Sequence, residues 1–128
     1  MAAVIRGLGI DIVKTERVRE IYARFGRKFA RRILAEGELQ HFDASHKPIG
    51  FLAMRFAAKE AASKALGTGF RQGVGPRQIE VTHDAAGKPS LHLHGAAAAH
   101  AQRLAASVSH VSLTDEAEYA AAVVVLES

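Results

Sequence analysis

The sequence predicts an α+β fold: a single compact domain over residues 1–128, with a mainly antiparallel sheet packed against a long central helix. Three observations predict it. The periodicities follow the order β-α-α-α-β-β-α-β-β, which suits an antiparallel α+β sheet. The stretch Phe51–Gly67 reads as a helix of roughly 17–18 residues, with Pro48 in its first turn and Gly67 at its close. The last run, Tyr119 to Leu126, is apolar almost throughout, as a strand central to a sheet should be.

Composition sets the bounds. At 128 residues, 48% apolar and 23% charged, the chain is globular and large enough to bury a core. It has no cysteine, which excludes disulfides, thiolate metal sites and a cysteine nucleophile. No apolar run approaches a membrane span, and the N-terminus lacks the apolar stretch of a signal peptide. The expectation is a soluble, cytoplasmic protein with no membrane partner.

Residues Val4–Val13 read as the first strand. Leu8, Ile10 and Ile12 share one face and Asp11 points the other way. Gly7 and Gly9 leave Asp11's face with little bulk, a pattern that often marks a close backbone approach. A carboxylate in such a run is costly unless paired or bound to metal; the alternative is a solvated or helix-capping Asp at the strand end.

Thr15 is the expected N-cap of a helix reaching Phe25, with Val18, Ile21, Tyr22 and Phe25 as its apolar stripe. After Gly26 a second helical stretch runs from Phe29 towards Phe42. Between Lys14 and Arg32 lie eight basic and two acidic residues, so this segment carries +6 and the remainder −2. Such a one-sided surface suits an acidic partner.

In the central helix, Phe51, Met54, Ala58, Ala61, Ala62 and Ala65 fall on one apolar arc, with Glu60 and Lys64 almost opposite. Five alanines in its second half let other backbone approach closely. A Glu four residues before a Lys is also the favoured exposed helix pair, worth about 0.2–0.5 kcal/mol. On this segment alone, surface pair and site are both open.

The glycine-rich loop from Thr68 to Pro76 lacks the lysine and hydroxyl residue of a P-loop. Gln78–His83 and Ser90–His94 form a hairpin around Asp84–Pro89. His92 and His94 share a strand face, but no third metal ligand stands near them in sequence. Gly95–Ala106 is helical, and Ser107–Thr114 alternates as a half-buried strand.

Two segments carry a resemblance. Gly9-Ile10-Asp11-Ile12-Val13, with Arg17 six residues after the aspartate, is similar to the first signature of the 4′-phosphopantetheinyl transferases. Phe56-Ala57-Ala58-Lys59-Glu60-Ala61-Ala62-Ser63-Lys64-Ala65-Leu66-Gly67 resembles their second, F-x-x-K-E-x-x-x-K-A-x-G. Thr68-Gly69, Gly87-Lys88-Pro89 and Ser109-His110-Val111-Ser112-Leu113 are similar to the short bacterial branch, and the likeness covers nearly the whole chain.

The resemblance implies transfer of 4′-phosphopantetheine from coenzyme A to a serine of apo acyl carrier protein in fatty acid biosynthesis. The products are holo acyl carrier protein and adenosine 3′,5′-bisphosphate. It implies Asp11 and Glu60 as ligands of Mg2+, with Mn2+ as an alternative ion, and Lys64 as a phosphate contact that stabilises charge on the leaving group. His110 is implied near the nucleotide, touching phosphate or assisting proton transfer. The general base stays open between Glu60, a metal-bound water and another carboxylate. Arg55 and the turn Gly87-Lys88-Pro89 are similar to elements that hold the adenylate and 3′-phosphate. Arg17 and Arg24 match positions that contact the acidic carrier protein, and relatives of this length are homotrimers with active sites between subunits. The competing reading, a basic nucleic-acid module, lacks interleaved aromatics for base stacking, and no nucleic-acid partner is expected.

Overall fold

The central helix is where the core forms. The computed structural model describes residues 2–128; residue 1, with which the expected domain begins, lies outside the described residues. The elements are β1 (Ile5–Lys14), α1 (Thr15–Phe25), α2 (Arg27–Ile33), α3 (Glu36–Asp43), α4 (Pro48–Leu66), β2 (Ile79–His83), β3 (Pro89–Leu93), α5 (Gly95–Arg103), β4 (Val108–Asp115) and β5 (Tyr119–Glu127). A short 3-10 turn, Pro76–Gln78, leads into β2. No described helix is long and apolar enough to cross a membrane.

The strands fall into two antiparallel sheets, β1-β5-β4 and the hairpin β2-β3, where the sequence led us to expect one. β5 takes the middle of the larger sheet, as its apolar run predicts: Ala120, Ala122, Val124 and Leu126 turn inward and are at most 3% exposed.

α4 lies across the inner face of that sheet, with α1, α3 and the hairpin on its other sides. The expected apolar arc is therefore too narrow. Leu52, Ala53, Ala57, Ala58, Ala61 and Ala62 are all buried, and so are Arg55, Lys59 and Ser63. Truncating a fully buried side chain such as Leu52 would cost about 2–5 kcal/mol. The close approach expected of the strand glycines is present. A Cβ on Gly9 would overlap the Ala61 carbonyl oxygen, and one on Gly7 that of Ala65. Small residues on both elements thus bring β1 against α4 backbone to backbone.

Three local expectations need correction. Thr15 is the first residue of α1, not its cap: β1 runs through Lys14, which occupies the N-cap position without a side-chain bond, and the Thr15 N–H donates to the Glu118 carbonyl at 2.9 Å. The stretch from Phe29 to Phe42 is two helices, broken at Leu34 and Ala35, which are extended. The break has a polar cause, because Glu38 Oε1 accepts the Ala35 N–H at 2.8 Å and starts a new helix. Lastly, the apolar face of β1 is not core. Leu8, Ile10 and Ile12 are 65%, 67% and 65% exposed on the outer side of the sheet, and Phe25 at the end of the α1 stripe is 51% exposed.

Candidate active site

The contact between β1 and α4 brings Asp11 to Glu60 and Lys64. Asp11 shares the inward face of β1 with Gly9 and Val13, and its side chain is only 16% exposed. Lys64 Nζ lies 3.0 Å from Asp11 Oδ1 and donates to the Ile10 carbonyl oxygen at 3.0 Å. Glu60, one turn earlier, is half-buried beside them. Burial pushes its carboxyl above the usual range, the Asp11 charge adds to the rise, and Lys64 opposes it. Two carboxylates and one ammonium therefore face a single cleft of about 350 Å3, with Phe56 and Phe29 as apolar walls and Arg17 on its lining.

This donor set fits a hard divalent cation. A positive charge between the two carboxylates would offset the burial and the Asp11 charge that raise Glu60, and their oxygens suit Mg2+ or Mn2+. Among the described residues there is no group of three or more His, Cys, Asp or Glu able to hold a metal. A cation here would take its remaining ligands from water or substrate, the usual habit of Mg2+ at phosphate sites.

Arg24 lies further along α1, its guanidinium 5.2 Å from the Phe25 ring centre. Beside the cleft is an apolar depression of about 250 Å3 formed by Ile21, Phe25 and Phe29, with Lys28 and Arg32 at its edge. It was missed because Phe25 and Phe29 read as core residues; the dense basic residues around them were the available signal.

His110 is not with this group. It sits on the outward face of β4, its Nε2 2.7 Å from Glu127 Oε1, and its side chain is 58% exposed. Asp11, Glu60 and Lys64 lie on the other side of the same sheet. Within one chain these residues do not meet.

Arg55 is buried, with Nε 3.2 Å from Glu38 Oε2 and the guanidinium stacked 4.0 Å from the Phe51 ring centre. Burial lowers the proton affinity of Arg55, and Glu38 opposes that. Its Nη2 reaches His83 Nδ1 at 3.4 Å, and His83 stands directly opposite Pro89 in the hairpin. Arg55 and the Gly87-Lys88-Pro89 turn, read as separate elements in the sequence, are thus joined through His83. The turn itself is held by Asp84 Oδ1, which accepts the N–H groups of Ala86 and Lys88 at 2.9 Å each.

Lys59, Glu38 and His83 were not singled out in the sequence. Lys59 is fully buried and donates to Glu38 Oε1 at 2.6 Å and to the carbonyls of Pro76 and Ile79. The signal was present: Arg55 and Lys59 are like charges at i,i+4, unfavourable on a helix unless a carboxylate lies between them. His92 and His94 go to separate partners, Thr82 and Glu80, at 3.0 Å each.

An acidic pair and a lysine on a strand–helix contact, backed by an alanine-rich helix, define a class. Residues 7–124 match the 4′-phosphopantetheinyl transferase superfamily, and the chain belongs to it. Within that superfamily it is 54% identical over 123 residues to the holo-[acyl-carrier-protein] synthase of Photorhabdus laumondii, covering 96% of this chain and 98% of that protein. Its fold is similar to the crystal structure of the holo-[acyl-carrier-protein] synthase of Neisseria meningitidis, with TM-score 0.91, 42% identity, and 98% and 100% of the two chains covered. The corresponding synthase of Bacillus anthracis, solved in complex with CoA (3′,5′-ADP), is similar at TM-score 0.82 and 38% identity, with 99% of each chain covered.

Proposed function

We propose that this chain is a cytoplasmic holo-acyl-carrier-protein synthase that moves 4′-phosphopantetheine from coenzyme A to a serine of apo acyl carrier protein. The observation that carries this reading is the convergence of Asp11, Glu60 and Lys64 in one cleft with Arg17 at its side. The serine hydroxyl gives up its proton to Glu60, water or another carboxylate as its oxygen attacks the phosphorus that bears pantetheine. The phosphorus–oxygen bond to the other phosphate breaks, and adenosine 3′,5′-bisphosphate leaves with that bridging oxygen. Bound Mg2+ supplies charge neutralisation at the pyrophosphate.

The chain's own residues do the rest. Asp11 and Glu60 hold the cation. Lys64, on the cleft face of α4, contacts phosphate and stabilises charge moving towards the leaving group. Arg55 and the Gly87-Lys88-Pro89 turn hold the adenylate end of coenzyme A. Arg17 and Arg24 meet the acidic carrier protein, raising association rate and selectivity more than affinity. The working unit is a homotrimer. Supporting this is the outward face of the larger sheet, where exposed Leu8, Ile10 and Ile12 form a patch that a second copy would cover. His110 lies on that same face, so a neighbouring copy is its route to a cleft, where it meets the nucleotide.

The test is intact-mass measurement of apo acyl carrier proteins incubated with this protein, coenzyme A and Mg2+. A phosphopantetheine mass increment is expected. Its absence across several carrier proteins would overturn the reading.

A further inference from the structure

Glu127 is out of place on its face of the sheet. It ends β5, and the residues directly opposite it are Ile5 on β1 and Val108 on β4, which are 67% and 43% exposed. All three turn outward, on the face that carries Leu8, Ile10 and Ile12. A carboxylate among apolar side chains costs little while water reaches it. Once a second copy covers the face it is costly, unless it is paired and hydrogen-bonded. Glu127 has such a partner: its Oε1 lies 2.7 Å from His110 Nε2. His110 stands opposite Val125, two residues before Glu127, so the pair is a diagonal cross-strand contact.

That bond decides what His110 can offer. A carboxylate only accepts, so Nε2 carries the proton between them. Nδ1 has no partner among the described residues and belongs to an exposed side chain. Nδ1 is therefore the nitrogen presented outward, to whatever a neighbouring copy brings. A phosphate oxygen is also an acceptor. An imidazole held between Glu127 and a phosphate must donate from both nitrogens, so it is a cation that contacts the phosphate, not a base that takes a proton. The Glu127 carboxylate offsets that charge on the side away from the substrate. Without Glu127, nothing in the chain selects which nitrogen faces out.

We propose that Glu127 is a positioning residue for His110, holding Nε2 so that Nδ1–H meets a phosphate oxygen of coenzyme A in the neighbouring copy's cleft. This deepens the transferase reading above and rests on it, shared sites in the homotrimer included. Glu127 itself touches no substrate. Of the two roles left open for His110 in the sequence, the pairing selects phosphate contact over proton transfer.

The experiment is a double-mutant cycle. Glu127→Ala and Glu127→Gln are each made alone and together with His110→Ala, checked for trimeric mass, and assayed for kcat/KM with coenzyme A. Glu127→Ala should lower kcat/KM about tenfold, and Glu127→Gln, which keeps an acceptor but not the charge, about threefold. In the His110→Ala background either change should cost less than about twofold, because the ring is its only route to the substrate. Nitrogen NMR of the imidazoles, with His110 assigned by its absence from His110→Ala, gives a second readout. With adenosine 3′,5′-bisphosphate and Mg2+ bound, both His110 nitrogens should be protonated in the wild type, and Glu127→Ala should lose that pattern. If Glu127→Ala alters the trimer mass, the isosteric Glu127→Gln carries the comparison. Equal losses in both backgrounds, a Glu127→Ala enzyme at the wild-type rate, or a fully active His110→Ala overturns the role of Glu127 while leaving the transferase reading intact. A wild type that modifies no carrier protein overturns both.

Discussion

Lys64 Nζ bridges Asp11 Oδ1 and the Ile10 carbonyl oxygen at 3.0 Å each, so the ammonium occupies one of the two carboxylates proposed for the cation. It holds β1 to α4 at the point where the glycine contacts bring them together. A cation entering between Asp11 and Glu60 would have to contend with this ammonium for Asp11, and displacing it would free the amine for the phosphate contact proposed above.

Lys64→Ala should therefore separate metal binding from turnover. Lys64 is 52% exposed, and pairs of this kind are worth about 0.2–1 kcal/mol, so its loss should tighten Mn2+ binding to the substrate-free protein by up to about fivefold. Turnover should fall by orders of magnitude. Calorimetry with Mn2+ alone reads the first effect. Unchanged or weaker binding would show that Lys64 does not compete for Asp11.

Glu60→Gln should trade activity for stability. The Glu60 carboxyl is raised above its usual range by burial and by Asp11, so on raising the pH the unfolded chain gives up this proton before the folded chain does. Stability from this group is thus full below the ordinary carboxylate range and is lost as pH climbs through the raised value. The metal-free variant, which carries no charge there, should melt at a higher temperature than the wild type near neutrality, with the gap closing under acid conditions. A lower melting temperature at neutral pH would contradict this, and near-normal turnover would remove Glu60 from the metal site.

The candidate cleft was legible mainly through the two signatures, since residue types alone left Asp11 and the Glu60–Lys64 pair open and the resemblance joined them. The glycines beside Asp11 pointed to a close backbone approach without naming its partner, which is α4, and Asp11 and Glu60 meet there. What the sequence hid was longer in range. The Glu38 network joins α3, α4 and β2, so no single window of sequence contains the carboxylate that makes Arg55 and Lys59 tolerable as neighbours. The outward face of β1 misled for the opposite reason. Alternation reports which residues share a face, not what covers it, and among the described residues nothing covers Leu8, Ile10 and Ile12.

Glu38→Ala should be among the most destabilising single changes in the chain. It strands Lys59, already depressed in proton affinity by burial and sustained chiefly by Glu38, and removes the acceptors of the Ala35 and Val81 N–H groups. Breaking a buried pair of this kind costs about 3–5 kcal/mol. Urea denaturation reads it directly. A loss below about 1 kcal/mol would mean that water replaces the carboxylate.

Charge reversal of Arg17 and Arg24 should weaken carrier-protein docking and flatten its salt dependence, since both are exposed on α1 and the interaction is screened over about a Debye length. The KM for acyl carrier protein should rise, with far less change for coenzyme A. A KM for carrier protein that does not move would put the docking face elsewhere.

The position of His110 allows the trimer to be tested through activity. His110 and the Asp11–Glu60–Lys64 group lie on opposite faces of one sheet, so a site containing both needs Glu60 from one copy and His110 from another. Glu60→Gln and His110→Ala should each be poorly active alone. After the two are unfolded together and refolded in equal amounts, random assembly restores about a quarter of the sites, those pairing an intact Glu60 with an intact neighbouring His110. Recovery near that fraction, alongside a trimeric mass in solution, fits shared sites across the exposed face of β1. No recovery from a mixed trimer would mean that each site is built within one chain, or that His110 takes no part. Leu8→Asp supplies the complementary check, because it places a charge in the same apolar face, away from Asp11 and from the Lys64 bond at Ile10. It should leave a folded protein of lower mass, and transfer activity should fall in step with trimer content as protein concentration is reduced.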